Sequence, residues 1–273
     1  MIELPEAITL GEQISSTLVG RPISKVYPAS YQHKFTFFNG DPLAYCGLLE
    51  GKKIKSALGR GIFVDLFLNK DTTISFHDGV NVRYLPISEV PAKYQLLLEF
   101  SDKTCLVFTV AMYGGIYAYK DTFENGYHQK SVGSISPLSD DFDENYFRQM
   151  IKQEPKNISA KALLATGQRI PGLGNGVLQD ILFNAGIHPK RKILSFSEKE
   201  KTVLFDSLKT TLQAITTLGG RDTETDLFGN KGGYKTILSK NTYKQPCPKC
   251  KGAIVKEAYM GGSVYFCSDC QPV

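Results

Sequence analysis

Cys247-Pro-Lys-Cys250 and Cys267-Ser-Asp-Cys270 are two C-x2-C pairs separated by sixteen residues, the spacing of a four-thiolate zinc ribbon. Each pair can grip one side of a tetrahedral ion, with Ala253–Val255 and Ser263–Phe266 reading as two strands of a hairpin around Gly261-Gly262. Four thiolates leave no open position, so the expected Zn2+ is structural. Disulfides are the other use of such cysteines, and they are disfavoured in a chain read as cytoplasmic, where thiols stay reduced. Cys46 and Cys105 stand singly among apolar residues and read as core.

Two other groups have the residue types for chemistry. Ile170-Pro-Gly-Leu-Gly-Asn-Gly176 lies between helix candidates; glycines allow positive φ, and a helix starting at Asn175 would offer free N–H groups to a phosphate. The same turn also reads simply as a tight connection. Glu3 and Glu6 open the first helix, where they can complement its dipole or, if they face a cleft, move protons. Lys161, Gln168 and Arg169 flank the glycine turn as phosphate contacts or as solvated side chains, and His188 reads as a local capping or packing residue. From Leu227 to Lys256 there are seven lysines and no acidic residue, a one-sign block of the kind that displaces counterions from nucleic-acid phosphates, or else a solvated basic face.

The elements that must position these residues change texture along the chain. Leu4–Val19 reads as an amphipathic helix with Ile8, Ile14 and Leu18 on its apolar stripe, stopped by Gly20. Gly61–Leu68, Thr72–Phe76, Tyr94–Phe100 and Thr104–Val110 are short runs rich in β-branched and aromatic residues, which predicts a β-sandwich or barrel after that helix. From Pro137 the pattern becomes helical: Asp143–Gln153, Ile158–Ala165, Asn175–Ala185, and a longer helix from Ser197, whose Glu200 completes a capping box, to Gly219-Gly220. The chain is 273 residues long with net charge +5; it has no run of apolar residues long enough to cross a membrane, and its first residues lack the pattern expected of a secretory leader.

Taken in order, Glu3-Leu-Pro-Glu6, Pro137-Leu-Ser-Asp-Asp-Phe142, the Pro171-Gly-Leu-Gly-Asn-Gly turn, Asn184-Ala-Gly-Ile-His-Pro189 and the cysteine pairs resemble the formamidopyrimidine-DNA glycosylase and endonuclease VIII family across essentially the whole chain. The resemblance implies an α+β protein with a helix and β-sandwich over 1–132, a helix-two-turn-helix domain over 133–240 and a zinc finger over 241–273, working as a monomer with damaged double-stranded DNA in the cleft. Family members extrude a damaged base and cut its glycosidic bond. Their nucleophile is the amine of a proline at position 2.

Here position 2 is Ile2, whose bulk is expected to retain Met1 and to displace the terminal amine by about 3.5 Å. Such a shift exceeds what a near-attack geometry tolerates. Arg60 stands where the family has a strand lysine; Met112 and Gly114, beside Tyr113, stand where it has gap-filling residues; Gly262 stands where it has a finger arginine. Glu3, Glu6 and Asn175 match the family pattern. The expected catalytic residues are therefore Glu3, with Glu6 and the Met1 amine beside it. Those expected on DNA are Arg60, Lys161, Arg169, Asn175, Met112, Tyr113 and Gly262. Two functions follow from this set: a glycosylase in which Glu3 directs water at C1′ with weak or absent strand cleavage, or a protein that binds damaged DNA without catalysis.

Overall fold

The computed structural model describes all of residues 1–273. Helix α1 (Leu4–Leu18) starts on Pro5, whose fixed φ suits a first turn, and the Glu6 carboxylate accepts the Glu3 N–H. The chain then runs through β1 (Ile23–Pro28), β2 (Thr36–Phe38), α2 (Tyr45–Leu49), β3 (Ile54–Arg60), β4 (Phe63–Leu68), β5 (Thr72–His77), β6 (Val80–Pro86), β7 (Leu96–Phe100), β8 (Thr104–Val110) and β9 (Gly114–Lys120). These strands make two sheets, ordered β1-β7-β8-β6 and β2-β9-β5-β4-β3, antiparallel except for the β2–β9 pair. Alternate residues of both face inward, and Phe76 meets Phe108 edge to face across the gap, so the expected sandwich is what forms.

Helix α1 closes one side of this sandwich by lying directly on β3. Close approach needs two glycines: a Cβ at Gly59 would lie 2.1 Å from the Ala7 carbonyl oxygen, and one at Gly11 2.7 Å from the Gly59 nitrogen. That contact sets the rotation of the helix, which buries Leu4, Ala7, Leu10, Ile14 and Leu18 and leaves Ile8, expected on the buried stripe, only half-buried. The β4 strand starts at Phe63 rather than Gly61, because Gly61 (φ 57°) and Ile62 form the two-residue turn that pairs Arg60 with Phe63.

The second half contains α3 (Gly126–Gly133), α4 (Glu144–Gln153), α5 (Ala160–Ala165), α6 (Val177–Ala185) and α7 (Glu198–Thr217), followed by the β10 (Ile254–Tyr259) and β11 (Gly262–Cys267) hairpin. The Ser197–Glu200 capping box is present at α7. Phe147, Leu163, Leu178, Ile181, Leu208 and Leu212 belong to a core separate from the sandwich, while Leu227, beyond α7, returns to pack in the sandwich core. No helix is long and apolar enough to cross a membrane.

Gly59→Ala forces a methyl group into the α1 backbone and is expected to cost about 3 kcal/mol. Chemical denaturation checks it, and a midpoint equal to that of the parent protein would remove the close-approach argument.

Candidate functional site

The turn before α6 is where the two cores meet. Gly172, at φ 90°, has no room for a side chain: a Cβ would lie 2.6 Å from the Leu4 Cβ and 2.7 Å from the Gly61 carbonyl oxygen. The Leu4 N–H donates to the Gly172 carbonyl at 2.8 Å. Helix α6 begins at Val177, two residues later than the expected Asn175, and its free N–H groups already have an anion. Both are taken by Glu3, which accepts from Gly176 N at 2.8 Å (Oε1) and from Val177 N at 2.8 Å (Oε2). The anion-binding end of the helix is therefore filled by the chain's own carboxylate, a substitution the glycine pattern alone could not reveal.

Arg221 completes the arrangement. It is 3% exposed, donates through Nε to Glu6 Oε1 and through Nη2 to Glu6 Oε2, both at 2.9 Å, and stands 3.5 Å from Glu3 Oε1. A Cβ on Gly176 would overlap its guanidinium, and one on Gly174 would overlap Glu3, so these two glycines make room for the ion cluster. Burial alone would lower the Arg221 guanidinium, but Glu3 and Glu6 more than reverse this and hold it above its ordinary value. Burial pushes the Glu3 carboxyl up, with Arg221 and the two N–H groups pulling against it. Removing one member of such a cluster leaves uncompensated buried charge, at a cost of roughly 3–5 kcal/mol. Sequence reasoning passed over Arg221; its one signal is that it is the sole basic residue between Lys209 and Lys231, set among Asp222, Glu224 and Asp226.

The cluster forms the floor of a cleft of about 230 Å3 whose walls include Met1, Glu3, Asn175, Gln179, Arg221 and Lys240. Ile2 is buried in the sandwich core, and this directs Met1 outward. The Met1 amine pairs with Glu224, and the Met1 carbonyl accepts from Arg221 Nη2 at 3.2 Å. Glu3, Glu6 and Met1 are thus brought together, although Glu3 is only 1% exposed.

The residues expected on DNA are arranged less uniformly. Met112 is 73% exposed at the tip of its loop, and Tyr113 beside it donates to Asp78 Oδ2 at 2.9 Å. Arg60 donates through Nη2 to Asp65 at 3.1 Å and leaves its Nε without a partner. Asp65 is itself held by His128 and Ser75; burial would raise it, but those hydrogen bonds outweigh burial and keep it below the usual carboxylate range. Lys161 and Arg169 spend their charge inside the protein. The Lys161 ammonium donates to the Tyr259 carbonyl at 2.6 Å, and Arg169 binds Glu154 and the Ala162 and Thr166 carbonyls. Asn175 Nδ2 donates to the Ser263 carbonyl at 2.8 Å while its Oδ1 is buried without a partner, and Gly262 sits where a Cβ would touch that amide at 3.3 Å.

The hairpin is therefore docked on α6, through Asn175 and also through Gln179, which donates to Ser263 O at 3.2 Å and accepts from Tyr265 N at 3.0 Å. Beside it the sulfurs of Cys247, Cys250, Cys267 and Cys270 all lie within 4.8 Å of one another, with Cys247–Cys270 at 3.8 Å and Cys250–Cys267 at 3.4 Å. A tetrahedral ion with metal–sulfur bonds of about 2.3 Å needs sulfurs about 3.8 Å apart, so this donor set fits a metal. Asp180 of α6 ties in the preceding segment by accepting from Ile237 N at 2.9 Å and Leu238 N at 2.8 Å. His188 packs against Phe266 and accepts from Lys190 N.

Residues 134–226 match the formamidopyrimidine-DNA glycosylase H2TH domain. The whole chain is similar to two bacterial proteins named formamidopyrimidine-DNA glycosylase. It is 27% identical to that of Brevibacillus brevis over 99% of each chain, and 28% identical to that of Legionella pneumophila over 100% of this chain and 99% of the other. Its fold superposes on the Lactococcus lactis Fpg solved in complex with an abasic-site-containing DNA, with a TM-score of 0.86 and 23% identity over 99% of this chain and 100% of that one.

Burial pushes Asp180 up to about 6, against the pull of its two backbone donors. A carboxyl raised on folding contributes stability that is complete below about pH 4, its unfolded value, and that is lost as pH rises through the folded value. The loss is at most about 1.4 kcal/mol per pH unit. Asp180→Asn cannot titrate and is expected to flatten the decline of stability over this window. Denaturation midpoints followed across it provide the check, and an unchanged slope would assign the decline to other groups.

Proposed function

We propose that this chain is a member of the formamidopyrimidine-DNA glycosylase family and removes damaged bases from duplex DNA by hydrolysis, with little or no accompanying strand cleavage. One observation carries the reading: Glu3 stands on the cleft wall with its pKa raised by burial while Ile2 is locked into the core. A carboxyl moved toward neutrality is suited to exchanging protons. With a damaged nucleotide extruded into the cleft, a water oxygen bonds to C1′ and the glycosidic C–N bond breaks. The departing base keeps the electron pair, and the proton from the water passes to Glu3. Arg221 and Glu6 position Glu3 rather than touch the substrate.

Around this centre, Arg60, Asn175 and the backbone at Gly262 hold phosphates, and Met112 with Tyr113 forms a wedge that props open the stack. Lys161 and Arg169 support the hairpin and the glycine turn from within. We assign Zn2+ to the four cysteines, where it holds the hairpin in shape and takes no part in the reaction.

A second reading has a specific observation in its favour. Both Glu3 oxygens are engaged by backbone N–H groups and Glu224 pairs with the terminal amine, an arrangement that also suits a protein that binds damaged DNA without cutting it.

Duplexes bearing oxidised or alkylated bases, incubated with the protein and divided between direct analysis and alkaline work-up, separate these readings. Hydrolysis gives breaks only after alkali, and Glu3→Gln is expected to lower that yield by roughly 100-fold or more. Tight binding without breaks in either arm favours the binding protein, whereas direct breaks and a borohydride-trapped adduct would transfer the chemistry to the Met1 amine. Removing zinc with a chelator, or replacing Cys250 by Ser, is expected to weaken duplex binding by roughly tenfold or more. Fluorescence anisotropy reads that loss, and undiminished affinity would detach the finger from DNA binding.

A further inference from the structure

A second cavity, of about 300 Å3, opens between the sandwich and α3, and its walls include Phe63, His77, Asp78, Tyr113, Tyr117 and Tyr127. The aromatic groups are held in fixed relations. His77 and Tyr117 stack with planes 22° apart, and Phe63 lies 5.0 Å from the His77 ring. Gly115 has no side chain because a Cβ there would strike the Tyr117 hydroxyl and His77 Nε2. Tyr127, on the first turn of α3, is 65% exposed and presents its ring at the mouth of the cavity.

Two polar atoms in this aromatic setting are buried without partners: His77 Nδ1 and Asp78 Oδ1. Their companion atoms are engaged, His77 Nε2 with the Tyr117 hydroxyl at 3.2 Å and Asp78 Oδ2 with the Tyr113 hydroxyl at 2.9 Å. Leaving a buried donor or acceptor unpaired is destabilising, so such a pair marks a place where a ligand completes the bonding. Burial lowers His77 to about 4, which keeps it neutral near pH 7, with one ring nitrogen donating and the other accepting. Gln168, also on the wall, has φ 51°, a left-handed conformation rare outside glycine and often found at binding sites.

The occupant is defined by what the cavity contains and what it lacks. Aromatic walls with a few hydrogen-bonding atoms suit a planar nitrogen heterocycle, since every nucleobase has a π face and an edge of donors and acceptors. Water could satisfy the two polar atoms but would wet the rings. Neither Glu3 nor Arg221 lines this space, so its base is not the one being cut. Yet Tyr113 belongs to the wedge loop, and Asp78 is within electrostatic reach of the Met1 amine and Glu224. We propose that this cavity receives an unpaired nucleobase from the DNA held in the cleft, one left without its partner when the damaged base is extruded, with its edge toward His77 and Asp78. This inference rests on the duplex-DNA reading above.

The test uses a duplex carrying 2-aminopurine opposite a tetrahydrofuran abasic analogue. Entry into the cavity stacks the fluorescent base on the rings and is expected to quench its emission severalfold on binding. Tyr127→Ala and His77→Ala should each restore about half of that emission, with duplex affinity, read by anisotropy on the same complexes, changed by less than roughly threefold. Emission that rises on binding, or a quench that both variants retain, would overturn the proposal. Should the duplex not bind at all, the DNA reading fails by itself, and free 2-aminopurine riboside then decides the cavity: saturable quenching lost in Tyr127→Ala sustains it, and no saturable quenching overturns it.

Discussion

One buried ion cluster determines how the molecule is assembled. Arg221 comes from the loop after α7, Glu3 and Glu6 from the start of α1, and the N–H groups that Glu3 engages from the start of α6. These three segments are far apart in sequence, and their charges are taken out of water together. Each charge is tolerable only because the others are present, so the relative placement of the sandwich and the helical half is fixed with an accuracy that apolar packing alone would not give. The glycines of the turn are a consequence: with Glu3 and Arg221 in place, a side chain at Gly174 or Gly176 has nowhere to go.

How legible this was in the sequence depended on the range of the interaction. The cysteine pairs, the Ser197–Glu200 box, the α7 helix and the β5 and β8 strands are local signals, and each forms within a residue or two of where the pattern places it. Strands β1, β2, β3, β6 and β9 were not visible, and for three of them the physical reason is plain. β3 alternates poorly because its register breaks between Ile54 and Ser56 and because α1 lies so close that Gly59 takes an inward position, β1 ends on a proline, and β9 begins with two glycines that His77, Tyr117 and the Val80 and Val110 side chains require. The site divides in the same way. Glu3, Glu6 and Asn175 stood out through a resemblance between motifs, whereas the side chains of Arg221, Glu224 and Asp180 and the Asp65–His128 pairing depend on partners distant in the chain.

Positive charge is likewise used in two ways. Lys161, Arg169 and Arg221 serve the protein's own carbonyls and carboxylates, and Lys161, nearly fully buried, is lowered by that burial. Of the lysines after Leu227, Lys249 binds the Phe183 carbonyl and anchors the finger to α6, Lys251 reaches the Pro248 carbonyl at 3.5 Å and Lys256 lies over the Tyr243 ring, whereas Lys231, Lys235, Lys240 and Lys244 make no such contact. A count of basic residues therefore overstates the surface available to phosphates.

Leu227 bears on the order in which the protein is made. Its side chain fills a place in the sandwich core, its carbonyl accepts from Tyr84 N at 2.9 Å and its N–H donates to Gln13, while its neighbour Asp226 also accepts from Gln13. Every other residue of that core precedes Tyr119. As the chain leaves the ribosome, the sandwich must wait for more than a hundred residues of helical protein before its last position is filled. Until then Gln13 has no partner from this strap, and the first-made half is an unfinished core whose completion is postponed to the arrival of the second.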